Sequence, residues 1–266
     1  MTAAGGAPGT APRGDDWDRH WDAYAAAAEA NPAQRYRRRL ALRLLGAEES
    51  PARLLDLGSG QGDFLRAAAQ RWPQAQLLGI EPSEVGVRES QAKVPGASFL
   101  ALDLISGVDP ALPAQFRDWA THAVCSEVLE HVDEPEALLR AAIGAMAPGC
   151  RLVVTVPGGR MSAFDRTIGH RRHYTPTSLA QSLREAGLEV EWTSGAGFPF
   201  FNLYRALVIA RGDKLAGDVA AHGPDGGSSL AARAAMLAFR PLLGLTLTRS
   251  RFGVQIVGVA RVPGRA

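Results

Sequence analysis

Three glycines at alternate positions mark a loop that could hold a ligand against the main chain. Gly58, Gly60 and Gly62 follow the apolar run that ends at Asp56, within the stretch LLDLGSGQGD. Glycine tolerates positive φ and lets a ligand approach the backbone closely, and ligands of open α/β sheets bind at the carboxyl ends of strands. A dinucleotide loop would instead have G-x-G-x-x-G spacing. Because Asp56 and Asp63 flank the glycines, the loop favours a ligand with a positive charge and no phosphate.

Acidic residues also follow the next two predicted strands. Glu81 ends the second strand, just before Pro82, and an acid at this place can accept hydrogen bonds from both hydroxyls of a ribose. Asp103 ends the third strand beside Leu104, and its carboxylate can accept a hydrogen bond from the exocyclic amine of adenine. A positively charged amino acid, a ribose and an adenine without phosphate together describe S-adenosylmethionine.

Histidine side chains are the candidate groups for proton transfer. His131 lies in EVLEHV after the fourth predicted strand, and His170 and His173 lie in IGHRRHYTP after the fifth, next to the phenol of Tyr174. Histidine is the usual base near neutral pH, and we expect His170, ahead of His173, to take a proton from the substrate. The alternative is that both histidines orient their segment or bind substrate, and that His131 supports its loop.

Acidic residues near His131 do not form a metal site that the sequence can identify. Glu127, Glu130, His131 and Asp133 are close together, but their spacing matches no metal-ligand motif. No bound metal is therefore predicted.

Short apolar runs that alternate with amphipathic helices must position these residues. The predicted strands lie at residues 53–57, 76–80, 98–102, 121–126, 151–156, 188–193 and 252–262. The predicted helices lie at residues 31–45, 63–72, after the capping Ser83, at 135–146 and at 175–187. This alternation predicts an α/β fold with one Rossmann-like sheet of seven mostly parallel strands, covered by helices on both faces.

The organisation of the chain follows from the same pattern. Residues 1–16 are rich in small residues and proline and are predicted to be a disordered tail, and residues 17–48 form a helical arm. The core spans residues 50–197, a helical cap is inserted at residues 198–250, and residues 251–266 provide the last strand and a tail.

The composition limits the class of protein. The 266 residues carry a formal net charge of +2, too small for a general nucleic-acid binder. Cys125 and Cys150 are the only cysteines, too few for a disulfide scaffold, a four-thiolate zinc site or a three-cysteine iron–sulfur cluster. The amino terminus lacks a signal-peptide core, and no apolar run approaches the roughly 18 residues of a membrane span. We therefore expect a cytoplasmic protein without a transmembrane segment.

Four motifs in register resemble the class I S-adenosylmethionine-dependent methyltransferases. They are DLGSGQG, GIEPS, LALDL and CSEVLEHV, and the last is similar to the small-molecule group of that family. The resemblance implies S-adenosylmethionine as cofactor, with S-adenosylhomocysteine as product. The cofactor-binding residues that it and the loop imply are Asp56, Gly58, Gly60, Gly62, Glu81, Pro82, Asp103, Leu104, Ser126 and Tyr24. The catalytic candidates are His170, His131, His173, Tyr174 and Glu127.

The resemblance implies further that the helical arm folds over the cofactor. Trp21 and Tyr24 are then candidate lid residues, and the alternative is a helix packed on the sheet edge. The apolar insertion at residues 198–250 favours a bulky hydrophobic substrate, then a homodimer interface, then a peripheral membrane contact.

We expect methyl transfer to a small molecule, most readily to oxygen, in biosynthetic or specialised metabolism. One alternative keeps the cofactor but catalyses a cyclisation or elimination. A second is a non-catalytic partner subunit, which the intact glycines and acids disfavour. Nucleic-acid methylation is disfavoured because CSEV stands where N/D-P-P-Y/F would follow the fourth strand.

Overall fold

The fold is given by a computed structural model that describes residues 31–46, 51–105, 112–210 and 241–264. The predicted tail at residues 1–16, the arm residues 17–30 with Trp21 and Tyr24, and residues 211–240 of the predicted cap lie outside the described residues.

Seven strands form one sheet in the order β3-β2-β1-β4-β5-β7-β6. They are β1 (Arg53–Leu57), β2 (Gln76–Glu81), β3 (Ser98–Ala101), β4 (Ala120–Ser126), β5 (Met146–Pro157), β6 (Glu189–Ala196) and β7 (Gln255–Arg261). All pairs among β1 to β5 are parallel, whereas β7 runs antiparallel to both β5 and β6. The predicted seven-stranded, mostly parallel sheet is therefore confirmed.

Seven α-helices are described. They are α1 (Pro32–Leu44), α2 (Asp63–Arg71), α3 (Glu84–Lys93), α4 (Pro135–Ile143), α5 (Ala163–Thr167), α6 (Pro176–Glu185) and α7 (Phe200–Ala210). The predicted cap of α3 is in place, since Ser83 accepts a hydrogen bond from the Gly86 N–H at 3.0 Å, and Asn31 caps α1 by accepting one from the Ala33 N–H at 2.9 Å. Each side-chain oxygen satisfies a helix-terminal N–H that has no partner within the helix.

The helices cover both faces of the sheet. Leu54, Val124 and Val153 belong to a core with residues of α1, α2 and α3. Leu55 and Leu152, their neighbours along the strands, belong to a second core with residues of α4 and α6. Successive side chains of a strand point to opposite faces, so the continuous apolar strands predicted from the sequence are buried on both sides.

One boundary differs from the prediction. The helix expected to reach residue 146 ends at Ile143, and β5 begins at Met146 rather than at residue 151. Met146 pairs with Ala120 of β4, and the register shifts between Ala120 and His122. The added residues 146–150 of β5 include Pro148 and Gly149, and the pairing of Met146 with β4 is what makes this stretch part of the strand.

The order of the strands creates a crevice at one edge of the sheet. From β1 the chain proceeds outward to β2 and β3, and then returns to place β4 and β5 on the other side of β1. Ligands of open α/β sheets bind outside the carboxyl ends of the strands at such a switch point. In the described part of the chain, no helix has the length and apolar character needed to cross a membrane.

Candidate functional site

The loop between β1 and α2 is built from glycines in the left-handed region. Gly58, Gly60 and Gly62 have φ of 72°, 53° and 75°. A Cβ added at Gly58 would lie 2.4 Å from Cγ2 of Val128, and one at Gly62 would lie 3.0 Å from Cβ of Ser90. Side chains at Gly58 and Gly62 would be strained and would meet Val128 and Ser90, so glycine is required at these two positions of the loop.

A buried carboxylate holds this loop against the end of β2. Glu81 accepts a hydrogen bond from the Gly60 N–H at 2.9 Å and another from the Ser83 N–H at 3.2 Å. The side chain of Ser90, on α3, donates to the Gly60 carbonyl at 2.9 Å. Pro82 lies next to Glu81 and is exposed. These contacts fix the glycine loop and the acid predicted to bind ribose as one unit.

A second buried acid lies at the end of β1. Asp56 is 3% exposed, and burial together with the negative charge of Glu81 raises the pKa of Asp56 to about 8. Both effects disfavour the carboxylate, and a cation placed beside the two acids would favour it. The loop therefore fits a ligand that brings a positive group to the ends of β1 and β2.

The expectation that Asp63 faces the same ligand is wrong. Its carboxylate lies 3.1 Å from Nζ of Lys93, 3.4 Å from Nη2 of Arg66 and 3.7 Å from Nη1 of Arg38. Asp63 is thus the acid of an ion-pair group between α1, α2 and α3. The second acid beside the glycine loop is instead Glu81, at the end of the neighbouring strand β2.

The residues predicted to frame adenine follow β3. Oδ1 of Asp103 accepts a hydrogen bond from the Ile105 N–H at 3.0 Å, and the residue is exposed. Leu104 is buried and belongs to the core on the α4 side of the sheet. Asp103 is accessible to a ligand at this edge, and Leu104 anchors its loop.

Ser126 and Glu127 lie at the end of β4 in a continuous hydrogen-bond network. Glu127 accepts from Nε2 of Gln255 at 2.7 Å and from Oγ1 of Thr155 at 3.2 Å. Thr155 gives its one hydroxyl proton to Glu127, so Ser126, 2.8 Å away, donates to Thr155. The other oxygen of Glu127 lies 2.9 Å from Nε of Arg37 on α1.

The backbone of Glu127 is strained, with φ of 59°. A non-glycine residue in the left-handed region costs of order 1–3 kcal/mol and occurs mainly where a site requires it. Arg37 and Gln255 hold this conformation, and Arg37 also donates to Oε1 of Gln255 at 3.0 Å. Neither residue was among the predicted site residues, since Gln255 lies 128 positions from Glu127 and the three side chains meet only in the folded chain.

The predicted histidines come together where the segments after β4 and β5 meet. Nδ1 of His170 lies 3.1 Å from Nε2 of His173, and the rings of His131 and His170 are 4.8 Å apart at 89°. The Arg171 N–H donates to the Glu130 carbonyl at 2.8 Å, which ties the two segments together. His131 thereby meets two histidines that follow it by 39 and 42 positions. We call His131, His170 and His173 the histidine cluster.

Hydrogen bonds determine which nitrogens of the histidine cluster carry protons. Nδ1 of His173 lies 3.2 Å from the Gly159 carbonyl, which can only accept, so His173 donates from Nδ1. In a neutral ring Nε2 of His173 is then an acceptor, and His170 donates to it from Nδ1. The Nε2 lone pair of His170 is left for another partner.

Both rings are neutral at neutral pH. Burial, assisted by His131 nearby, lowers the pKa of His170 to about 3, and burial together with Arg205 lowers the pKa of His173. Asp165 lies 3.9 Å from Nδ1 of His170. Burial opposes ionisation of Asp165, but hydrogen bonds from Ser162 and the charge of Arg205 outweigh it and lower its pKa.

Tyr174 occupies a different position from its neighbouring histidines. The side chain is 4% exposed and belongs to the core on the α4 side. Its hydroxyl donates to the Leu129 carbonyl at 3.4 Å, and burial raises its pKa further above the ordinary value. The structure therefore gives Tyr174 a part in packing, and nothing in its contacts brings the phenol into the histidine cluster.

The comparisons with known proteins agree with this geometry. A family model described as a methyltransferase domain matches residues 28–192, more than half of the chain. A trans-aconitate 2-methyltransferase of Rhodopseudomonas palustris (strain BisA53) is 31% identical over 109 residues, 41% of this chain and 40% of the relative. The match therefore spans less than half the length of that relative.

Two further matches cover more of the chain. A ubiquinone biosynthesis O-methyltransferase of Xylella fastidiosa (strain M23) is 29% identical over 181 residues, 62% of this chain and 71% of the relative. The crystal structure of the [4+2]-cyclase SpnF aligns with a TM-score of 0.58 and 22% identity over 86% of this chain and 81% of that one. At that identity the likeness to SpnF shows the fold alone.

Proposed function

The chain belongs to the methyltransferase-domain family, and from that membership we propose that it transfers the methyl group of S-adenosylmethionine to an oxygen of a small molecule. When bound, the cofactor supplies a methyl group on a positively charged sulfur, ready for displacement by a nucleophile. The main task of the protein is then to align donor and acceptor, which contributes up to several kcal/mol to the rate.

The observation that carries the proposal is the unit formed by Asp56, Gly60 and Glu81. Two buried acids adjoin a loop whose three glycines adopt left-handed conformations, and burial together with the charge of Glu81 raises the pKa of Asp56 to about 8. A cation beside Asp56 would favour its charged form. The amino group of the methionine part supplies that cation at Asp56. The ribose hydroxyls donate to Glu81, and Asp103 takes the adenine amine.

The histidine cluster adjoins the ends of β4 and β5 and serves the acceptor. A hydroxyl acceptor loses its proton as its oxygen bonds to the methyl carbon, and a neutral imidazole lone pair can take that proton. His170 offers such a lone pair at Nε2, and the hydrogen bond from its Nδ1 to His173 fixes the ring. Ser126 and Glu127 shape the adjoining edge of β4, and Arg37 positions Glu127.

A small-molecule acceptor is supported by the relatives and by the cap. The two relatives, a trans-aconitate 2-methyltransferase and a ubiquinone biosynthesis O-methyltransferase, are both named for small molecules. Leu203, Leu207 and Ile209 of α7 are exposed apolar side chains at the start of the predicted cap, and they support a hydrophobic acceptor. A homodimer or peripheral membrane contact through the same residues is the remaining proposal for this surface.

Removal of the Glu81 carboxylate tests the cofactor site. We expect Glu81→Ala to weaken S-adenosylhomocysteine binding by about 1–3 kcal/mol, because the ribose loses its acceptor and the Gly60 and Ser83 N–H groups lose theirs. Isothermal titration calorimetry measures the affinity. Glu84→Ala is the matched control, since Glu84 is an exposed acid at the start of α3 and its loss should leave the affinity unchanged. Wild-type affinity in Glu81→Ala would contradict the assignment.

The products distinguish methyl transfer from the alternatives. A methyltransferase releases S-adenosylhomocysteine together with a methylated acceptor, and mass spectrometry of reactions with candidate hydroxylated acceptors detects both. A cyclisation would change the substrate while the cofactor stays intact, and release of methylthioadenosine would indicate a different cofactor reaction. A protein that binds no cofactor at all would instead be a partner subunit.

The raised pKa of Asp56 predicts that cofactor affinity depends on pH. Below about pH 8 the carboxyl of the free protein is protonated, and binding of the cationic amino group favours its ionised form. Binding then releases a proton, so the affinity for S-adenosylhomocysteine should rise up to about tenfold per pH unit between pH 6 and pH 8. Calorimetry at pH 6, 7 and 8 measures this slope.

The same pKa fixes the sign of the stability effect. The folded protein holds a proton on Asp56 that the unfolded chain releases above its ordinary pKa of 3.8, so this residue makes the free protein less stable as pH rises from about 4 to 8. Asp56→Asn should therefore raise the melting temperature at pH 8 while weakening cofactor binding and flattening its pH dependence. An unchanged pH slope in Asp56→Asn would show that another group titrates.

A further inference from the structure

Glu130 is a completely buried acid in the segment that follows β4. Its side chain is 0% exposed, and among the described residues neither carboxylate oxygen has a hydrogen-bond partner. Burial and the charge of Glu127 raise its pKa well above the usual value. An unpaired buried carboxylate is costly, so a site of this kind either keeps a proton on the acid or holds a cation.

Two histidines face this acid. Nε2 of His131 lies 4.0 Å from Oε1 of Glu130, and one ligand-capable atom each of Glu130, His131 and His170 lies within 4.8 Å of the other two. A tetrahedral divalent ion with bonds of about 2.0–2.2 Å holds its ligand atoms about 3.3–3.6 Å apart. Side-chain rotation closes the difference, since the segments that carry these residues are already tied together at Glu130 and Arg171.

We propose that Glu130, His131 and His170 bind a divalent transition-metal ion at the acceptor side of the site. One carboxylate and two imidazoles suit ions such as Zn²⁺, Co²⁺ and Mn²⁺. The tautomers agree with this role, because His170 donates from Nδ1 to His173 and keeps the Nε2 lone pair for a ligand. A second hydrogen bond of this kind is typical of metal-binding histidines, where it fixes the orientation of the ring.

The distribution of charge selects Glu130 over Asp165 as the acid that holds the metal. Asp165, His170 and His173 also lie within metal-binding distance of one another. Asp165 is already neutralised, since Arg205 donates to both of its oxygens at 3.2–3.3 Å and Ser162 donates at 2.7 and 2.8 Å. Glu127 is likewise paired with Arg37. Within the described part of the chain, Glu130 is the one acid of the three that forms no ion pair with an arginine, so a bound ion is stabilised there.

A metal at this place changes how the acceptor loses its proton. Its charge would lower the pKa of a coordinated hydroxyl, and His170 would then be a ligand rather than the base. Metal binding itself requires neither cofactor nor acceptor, so it stands apart from the proposed function.

Titration of untagged, chelator-treated protein with Co²⁺ tests the site. We expect one Co²⁺ per chain, seen as visible absorption bands and displaced by Zn²⁺. Glu130→Gln and His170→Asn each remove one ligand and should weaken binding by at least about tenfold. His122→Asn is the control, since His122 lies near the start of β4 and bonds Thr121, and its affinity for Co²⁺ should match the wild type.

Circular dichroism and S-adenosylhomocysteine binding show that each variant is folded. Unimpaired cofactor binding with lost Co²⁺ binding supports the site. Absence of stoichiometric Co²⁺ binding in the wild type, or equal binding in wild type, Glu130→Gln and His170→Asn, would overturn it. A wild type that does not bind S-adenosylhomocysteine would contradict the proposed function, whereas the Co²⁺ titration would still decide the metal site.

Discussion

Gly60→Arg abolishes binding of S-adenosylhomocysteine, with an expected loss of affinity of more than about a hundredfold, or about 2.7 kcal/mol. Gly60 has φ of 53°, and a side chain in the left-handed region adds roughly 1–2 kcal/mol of strain. Its N–H donates to Glu81 at 2.9 Å, so the arginine side chain would be attached next to the acid that is proposed to bind ribose. The guanidinium would also pair with Asp56 or Glu81 and take the place of the cationic amino group.

The chain offers a matched control for this substitution. Gly96 is exposed, lies in the turn before β3, and has no atom within 4 Å of an added Cβ. Gly96→Arg adds the same side chain and charge outside the site, and we expect its affinity to equal that of the wild type. Calorimetry measures both variants, with circular dichroism to confirm folding. Binding within threefold of the wild type by folded Gly60→Arg would place the cofactor elsewhere.

His170→Ala should lower turnover by about 10²–10⁴ while leaving cofactor affinity intact. The Nε2 lone pair of His170 is the one that the hydrogen bonds of the histidine cluster leave for the acceptor or for a metal. If His170 is the base, its removal takes away the group that accepts the proton of the acceptor hydroxyl. If it is a metal ligand, its removal weakens the site of the ion that would lower the pKa of that hydroxyl. The rate of S-adenosylhomocysteine formation with an acceptor identified by the product screen measures the effect.

Two comparisons separate a direct role from a structural one. His122→Ala removes a histidine of the same sheet that lies outside the cluster, and its turnover should match the wild type. His173→Ala keeps the lone pair of His170 but removes the acceptor that fixes its ring, so we expect a smaller loss than for His170→Ala. If His170→Ala turned over at the wild-type rate, His170 would have no part in the reaction.

Much of the fold was predictable from local patterns. The strands were predicted from continuous apolar runs, and the helix cap at Ser83 was predicted from a single residue and its immediate neighbours. These features depend on hydrophobic periodicity and on hydrogen bonds between adjacent residues, and both can be recognised from residues that are close together in the sequence. The start of β5 was missed because it depends on pairing with Ala120, which is 26 positions away in the chain.

The cofactor side of the site was also largely determined by the sequence. Gly58, Gly60 and Gly62 take the left-handed conformations that their spacing predicted, and Asp56 and Glu81 end neighbouring strands. Consecutive parallel strands bring their carboxyl ends to one edge of a sheet, so position along the chain translates directly into position in space. Asp63 was the exception, because its direction depends on the cations that α1 and α3 bring to it.

The tertiary structure alone decided the acceptor side. Glu130 and His170 are 40 positions apart in the sequence, and they meet only because the segments after β4 and β5 pack against each other through Arg171. Arg37 and Gln255 reach Glu127 from opposite ends of the chain. Whether a histidine is a neutral lone-pair donor, or a glutamate a buried and unpaired acid, depends on desolvation and on charges that distant residues supply. The spacing of residues in the sequence does not reveal this desolvation or these charges. The residue types therefore identified the candidates, and the packing determined what chemistry each can do.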